Sequence, residues 1–582
     1  MKYLPLFLIL ILAFILRVYG LNWDQGFHLH PDERAIVIAS IPLQLPTNIS
    51  ELLSVQSPLN PHFFAYGSLP MYLLKGVAVL LTPFYPLASS YDHINLVGRF
   101  LSVIFDMGTI LIIFLLGQKL FSRKVGLIAV FFYTISVFPI QAAHFYAVDT
   151  PLTFFILATL YMLISFYENP TKKKALFVGI LFGMSLATKT SALVLIMSIG
   201  AALISDFVLI FLRIPHRPHI WFPHIPKLIK KLLIEGLIIL ISTVISFIIF
   251  EPYALLDFKE FSRQTLEQSQ MTHNPFAFPF TLQYVGKIPY FYELKNIFFW
   301  GQGPIIATIS FLGTLYISFH LIKRHLGWWR SNDFDSSEVD KRWAQELILL
   351  IFFLSYFIVV GKFAVGWMRY MLPLYPLLSL FAAVLAYKLL ILIKRKFGYW
   401  YLFVVLVFIC SILYWPLSFV NIYTKPNTRV LASEWINQNI PVGPTLAIEH
   451  WDDSLPLFGQ EKYKMLTLPL YDPDTSEKWK TINQELSKTD YIIIASNRLY
   501  TPLMRLTDCK KLPVGRCYTQ TSEYYKKLFS GSLGFKKVAE FTSYPKFSFP
   551  LVKWEHEIND SSADESFTVY DHPKVLIFQK IP

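Results

Sequence analysis

The segment Phe27-His28-Leu29-His30-Pro31-Asp32-Glu33-Arg34 sets two carboxylates, two histidines and an arginine side by side, directly after the first apolar run of the chain. An adjacent Asp-Glu pair beside His and Arg can take a proton from a hydroxyl, hold a metal ion, or form a solvated knot of ion pairs. Residues 4–18 are apolar except for Arg17 and are long enough to begin a transmembrane helix, and Lys2 ahead of them favours a cytoplasmic N-terminus. The ionisable cluster then emerges at the outer membrane surface. Arg17-Val18-Tyr19-Gly20 offers no small-x-small cleavage site, so the run reads as an uncleaved anchor.

The elements needed to position such a cluster are those of a membrane protein. Hydrophobic residues make up 54% of the 582-residue chain and charged residues only 16%, with a mean hydropathy of +0.46, which is more apolar surface than one soluble core absorbs. The net charge of +13 comes from Lys and Arg in short connections between apolar runs. There they orient helices against the membrane, and nucleic acid is not the expected partner. Runs near 95–117, 125–140, 149–167, 174–190, 191–212, 232–250, 303–322, 346–361, 370–392 and 399–420 are each roughly long enough to span, some only if extended into their flanks. With the first run they predict a polytopic α-helical membrane protein of about eleven transmembrane helices. Lys119/Arg123/Lys124, Lys172/Lys173/Lys174, the connection 213–231, Lys323/Arg324 with Lys341/Arg342, and Lys394/Arg395/Lys396 then all fall on the cytoplasmic side. The stretch 69–87, broken by Pro70, Lys75, Pro83 and Pro86, is expected to lie at the outer interface or to re-enter it.

This threading gathers Arg17, Asp32, Glu33, Arg99, Asp149, Lys189, Glu251, Lys362 and Arg369 on one face from many separate helices. Each alone also reads as an interfacial anchor. Beyond residue 421 the composition turns mixed, with strand-like runs at 445–449, 491–495, 538–541 and 575–578 and helix-like stretches at 429–437, 478–486 and 522–528. Their alternation predicts a C-terminal extracytoplasmic α/β domain over 421–582, after a membrane domain over 1–420. Cys410 lies in the last apolar run as a small packing residue, while Cys509 and Cys517 are close enough in an oxidising exterior to form a disulfide. Common zinc signatures, GxGxxG and GxxxxGK[ST] are absent.

His30-Pro31-Asp32-Glu33, the turn His144-Phe145-Tyr146-Ala147-Val148-Asp149-Thr150-Pro151, the helix end Leu186-Ala187-Thr188-Lys189, and Arg369-Tyr370-Met371-Leu372-Pro373 together resemble the multi-spanning glycosyltransferases of the GT-C type. The resemblance is to glycosyltransferase family 39, the dolichyl- or polyprenyl-phosphate-mannose-dependent mannosyltransferases, with the lipid A aminoarabinose transferases as architectural cousins, and it covers roughly residues 1–420. It implies a sugar carried on a polyprenyl phosphate, attacked at its anomeric carbon by an acceptor hydroxyl, with inversion and loss of the lipid phosphate. Mannose is the donor sugar it suggests. The acceptor is left open among protein, glycolipid and cell-wall glycan. No repeat of a β-trefoil is recognisable in the outer domain, which favours a prokaryotic plasma membrane.

Under that resemblance Asp32 is the base, a task worth roughly 10²–10⁴ in rate. Glu33 and Asp149 complete the catalytic set, Glu33 as a structural partner if the pair is helical and Asp149 shaping the sugar or acceptor site or capping the helix that follows. Lys189 and Arg369 are carried over as phosphate ligands, with Arg99 and Arg17 as further cations, because a departing phosphate needs donors where its charge grows. His30 orients Asp32 or binds a metal. Tyr370 and the tryptophans at 300 and 367 stack on sugar, line a lipid channel or belong to the interfacial aromatic belt. A divalent metal is compatible but not demanded. A flippase or transporter of lipid-linked sugars is the alternative from another class, and it expects ionisable residues deep in the membrane.

Overall fold

Each apolar run coils into helix in the computed structural model, which describes residues 3–213, 225–330, 337–549 and 554–581. The helices are Leu4–Val18, Tyr91–Leu120, Arg123–Thr134 with Val137–Ala143, Asp149–Glu168, Lys172–Leu186, Leu195–Arg213, Ile225–Phe250, Pro304–Arg330, Ser337–Gly361, Tyr375–Phe397 and Tyr401–Val420. Among the described residues six stretches are long and apolar enough to cross a membrane, or seven if Arg123–Thr134 and Val137–Ala143, bent by 64°, form one span. One of the six, Met368–Asn439, takes in both of the last two apolar helices. Leu4–Val18 and Lys172–Leu186, at 15 residues each, fall short of the roughly 20 that a straight crossing needs. Part of the basic connection 213–231 lies outside the described residues.

Close helix packing follows from small residues. Gly179 and Gly183 of Lys172–Leu186 face Ser242, Thr243 and Ser246 of Ile225–Phe250, and a Cβ on Gly183 would stand 2.6 Å from the Thr243 carbonyl. Small residues four apart let two backbones approach where lipid supplies no hydrophobic drive. Ser246 uses the approach to donate to the Ile180 carbonyl at 2.8 Å.

The first long loop folds back on the helix ends. It contains Pro31–Ser40, Ile49–Leu52 and Ser68–Leu81. Pro70 falls in the first turn of Ser68–Leu81, where its missing N–H costs nothing. Lys75 donates to the Ile41 carbonyl at 2.6 Å. The loop is tied to the end of Lys172–Leu186 by backbone bonds, Gly67 N–H to Thr188 O and Leu69 N–H to Ala187 O, both 3.1 Å. A side chain at Gly67 would collide with the Ala187 carbonyl, so glycine is required for this approach.

The C-terminal part holds a mixed five-stranded sheet of order β2-β1-β3-β7-β4. β1 (Thr445–Glu449) pairs in parallel with β2 (Lys464–Leu468) and β3 (Tyr491–Ile494), while β7 (Val575–Lys580) lies antiparallel between β3 and β4 (Phe535–Phe541). Helices Thr428–Asn439, Ser476–Lys488 and Thr519–Ser530 accompany it. Edge strand β2 and the hairpin of β5 (Lys546–Phe549) and β6 (Trp554–Glu557) lie outside the expected strands, each being only four or five residues long. Cys509 and Cys517 are disulfide-bonded. Cys410 is exposed on its helix and is not the packing residue expected.

The boundary at 421 is not a clean seam. After the hairpin the chain returns to the membrane part, and Phe567, Val569 and Tyr570 join the same apolar core as Trp300, Trp415 and Phe419.

Candidate functional site

Asp32 and Glu33 are consecutive in the first turn of Pro31–Ser40, so their side chains leave the helix about 100° apart. They reach different partners. Asp32 pairs with Arg369 and lies beside the Tyr66 hydroxyl. Arg369 stands on the 3₁₀ turn Met368–Leu374, its Nε 3.7 Å from Asp149 Oδ2 and its guanidinium 4.9 Å from the Trp367 ring centroid. Asp149 opens the helix Asp149–Glu168 as its first residue, without acting as the cap. Its other carboxylate oxygen accepts from Lys189 Nζ at 2.7 Å, and that ammonium lies 4.5 Å from the centre of the Tyr370 ring. Lys189 is held by the strand-like pairing of its neighbours with Gly67 and Leu69.

Asp32, Arg369, Asp149 and Lys189 therefore form a chain of alternating charge, drawn from four elements distant in sequence. Their side chains remain 18%, 13%, 4% and 15% exposed, which shields the charges and leaves three of the four reachable by a ligand. Burial pushes the Asp32 carboxyl up, but Arg369, with Tyr66 and Lys189, outweighs burial and holds it below the usual carboxylate range. Burial likewise lowers Lys189 against the pull of Asp149.

His30 does not orient Asp32. It caps the helix, its Nδ1 accepting from the Glu33 backbone N–H at 3.3 Å, and its ring lies between Phe145 (4.5 Å) and Tyr570 (4.1 Å). Burial pushes its titration down to about 3, so it is a neutral acceptor. Among the described residues no three of His, Cys, Asp and Glu converge as metal ligands.

Glu33 and Arg99 belong to a separate knot with Asp24. Arg99 Nη2 donates to Asp24 Oδ2 at 2.7 Å and Glu33 Oε1 at 2.6 Å, Nε reaches Glu33, and Nη1 takes Asp24 and the Leu21 carbonyl. Glu33 also accepts from Tyr146 N–H at 2.9 Å. All three side chains are solvent-excluded. Every donor nitrogen of Arg99 is thus engaged, which leaves none for a phosphate. Arg17 is solvent-excluded and pairs with Asp106, with Tyr133 donating to the other oxygen of Asp106 at 2.6 Å. Trp300 packs on Trp415 and Phe567, away from the charged chain.

Two residues outside the set expected to do chemistry stand at the centre. Tyr66 comes from the folded-back loop, and Tyr570 from the segment returning out of the C-terminal sheet. The charges acting on the Tyr570 hydroxyl are Arg369, then Arg498, Asp32 and Glu565, and burial raises it to about 12. The segment is anchored by Gln141 donating to Phe567 O (2.7 Å), Asn427 to Tyr570 O (3.0 Å) and Tyr423 to Asp571 (2.8 Å). Arg34 also bridges to Asp453 at 2.9 Å, so the C-terminal part grips the helix that carries Asp32. No local signal marks these contacts, since each joins residues at least 143 positions apart.

Residues 91–224 match the family model described as dolichyl-phosphate-mannose-protein mannosyltransferase. That segment contains Asp149 and Lys189. The oligosaccharyltransferase AglB of Archaeoglobus fulgidus, in complex with an inhibitory peptide and a dolichol-phosphate, is similar with a TM-score of 0.50 at 12% identity over 96% of this chain and 74% of that one. Its apo form gives 0.50 at 14% identity over 96% and 75%. ArnT of Cupriavidus metallidurans bound to undecaprenyl phosphate gives 0.45 at 12% identity over 88% and 96%. No curated protein matches the sequence. The chain thus resembles the family 39 mannosyltransferases over residues 91–224 and shares, over nearly its whole length, the fold of a GT-C oligosaccharyltransferase.

Proposed function

We propose that the protein is a membrane glycosyltransferase that moves a hexose, mannose by resemblance, from a polyprenyl-phosphate donor to a hydroxyl acceptor on the extracytoplasmic face. The observation that carries this reading is the alternating chain Asp32–Arg369–Asp149–Lys189, two cations spaced by two carboxylates and walled by Tyr66, Trp367, Tyr370 and Tyr570. The acceptor oxygen attacks the anomeric carbon, its proton passes to Asp32, the bond from that carbon to the phosphate oxygen breaks, and the lipid phosphate leaves with its charge beside Lys189 and Arg369. Inversion follows from a single displacement.

Arg369 holds Asp32 ionised but also makes it a weak base. A donor phosphate that draws Arg369 and Lys189 toward itself loosens both carboxylates, and the basicity of Asp32 rises when substrate is in place. The topology that goes with this reading has about eleven crossings, with 21–94, 251–302 and 421–582 outside. It rests on the basic connections at the far ends of the helices. A cysteine introduced in 421–582 and labelled only after the inner face is opened would contradict that orientation.

The buried Arg17–Asp106 pair is an ionisable pair inside the helical part, the feature a flippase reading expects. Proteoliposomes loaded with a panel of polyprenyl-phosphate hexoses separate the two. Acceptor-dependent release of polyprenyl phosphate supports the transferase. Movement of intact donor between leaflets, with no release for any hexose, supports the flippase.

A further inference from the structure

A cavity borders Tyr375–Phe397, the helix that follows the Arg369 turn. It has a volume of about 540 Å³ and is bounded by four elements: the junction Phe121–Ser122–Val125, Tyr316 to Arg324 of Pro304–Arg330, Arg342 and Glu346 of Ser337–Gly361, and Val384 to Lys388 of Tyr375–Phe397. Lys388 is thirteen residues along a helix that begins just after the Arg369 turn, so the two places are separated by about 20 Å of helix.

Three obligate cations, Arg324, Arg342 and Lys388, line this cavity against one carboxylate, Glu346. Loop placement of basic residues orients helices, but it does not require side chains from three helices to converge on one hollow. Here they do. Arg342 Nε donates to Glu346 Oε1 at 3.1 Å, its guanidinium lies 5.4 Å from the Phe121 ring, and Lys388 donates to the Tyr316 hydroxyl and sits 4.5 Å from its ring. Glu346 is 4% exposed and pairs with Arg342, and among the described lining residues the cations outnumber it. The rest of the lining is largely apolar, with Phe121, Val125, Ile317 and Val384. The volume lies within the range of ligand pockets, roughly 300–1,000 Å³, and exceeds what a bare phosphate fills.

We propose that this cavity binds the phosphate headgroup of an anionic lipid, with the phosphate between Arg324, Arg342 and Lys388 and the first methylenes of the chain on the Phe121–Val384 wall. The site is distinct from the donor centre and does not depend on the chemistry proposed there.

The test uses the full-length protein in detergent and native mass spectrometry, with short-chain phosphatidylglycerol, short-chain phosphatidylcholine and inorganic phosphate as separate probes. One phosphatidylglycerol should bind per chain, with at least tenfold preference over phosphatidylcholine. Arg342→Gln combined with Lys388→Gln should weaken it at least tenfold, and Arg324→Gln alone should weaken it measurably. The exposed pair Lys394→Gln and Lys396→Gln, on the same helix but outside the cavity, should leave binding unchanged. Unfolding midpoints identify any variant that misfolds, and Arg324→Gln then carries the test. Equal loss in the Lys394/Lys396 control would mean a diffuse basic belt and overturn the proposal. Saturation by inorganic phosphate without lipid binding would also overturn it, in favour of a soluble anion.

Discussion

Replacing Lys189 with Met removes a charge while keeping most of the side chain's apolar bulk, and the structure gives it two separable effects. Lys189 Nζ holds Asp149 at 2.7 Å. Breaking a buried pair costs about 3–5 kcal/mol, but Lys189 is 15% exposed and Asp149 keeps Arg369 at 3.7 Å, so the expected loss of stability is about 2–3 kcal/mol. The second effect is on chemistry. One donor removed from a developing negative charge costs about 10²–10³ in turnover, and Arg369 remains, which puts the expected loss near 10². Pairing the change with Asp149→Asn separates the two. With both partners gone no charge is left unpaired, so the double variant should be destabilised by less than the sum of the single ones, with a coupling of about 1–3 kcal/mol. Transfer should stay down at least a hundredfold. Unfolding followed by tryptophan fluorescence and hexose transfer per folded molecule are the two assays. Recovery of transfer in the double variant would refute the phosphate-binding role and leave Lys189 as a partner for Asp149 alone.

Glu33→Gln should cost about 3–5 kcal/mol of stability, because Arg99 loses a buried partner, while turnover per folded molecule stays within about twofold since no interaction of Glu33 reaches the charged chain; a tenfold fall in well-folded protein would place the knot in the chemistry. Tyr570→Phe deletes only a hydroxyl facing Arg369 and Asp32 and should lower turnover about tenfold, one hydrogen bond's worth, with an unchanged unfolding midpoint; unchanged turnover would leave Tyr570 as a wall. Glu449, accepting from Tyr525 at 2.6 Å, has its carboxyl pushed up by burial to about 8. A raised carboxyl favours the protonated folded state, so its stabilising contribution is full below about pH 4.5 and is lost as pH rises through about 8. The unfolding midpoint of the wild type should fall over that window, and Glu449→Gln should flatten the fall.

Hydropathy and basic loops were enough to locate every apolar helix, since twenty residues of lipid-facing surface leave an unmistakable composition. Length is less legible. The 15-residue helices Leu4–Val18 and Lys172–Leu186 fall short of a straight crossing, and composition does not fix where a helix ends inside an apolar run. Asp32, Asp149, Lys189 and Arg369 were foreseen together, because the threading forces them onto one face. Arg99 was placed with them for the same reason, but sharing a face does not fix which carboxylate a guanidinium meets. Asp24, absent from the candidate set, took it. His30 was read as ligand or orienter, whereas Pro31 after it makes it the cap of a helix, and Phe145 and Tyr570 bury it. Tyr66 and Tyr570 are not among the residues expected to do chemistry. Tyr570 reaches the centre only because a segment beyond the hairpin returns to the membrane core, a contact set by tertiary packing and invisible to local pattern.

The central claim is that Asp32 is the base of a polyprenyl-phosphate-dependent transfer. Asp32→Asn keeps the shape and an oxygen beside Tyr66 while abolishing basicity, so the decisive measurement is acceptor-dependent transfer of labelled hexose from polyprenyl phosphate by wild type and Asp32→Asn in the same proteoliposomes, normalised to folded protein. The account predicts a turnover loss of about 10²–10⁴ with donor binding preserved within a few-fold. Near-normal transfer by well-folded Asp32→Asn would contradict it.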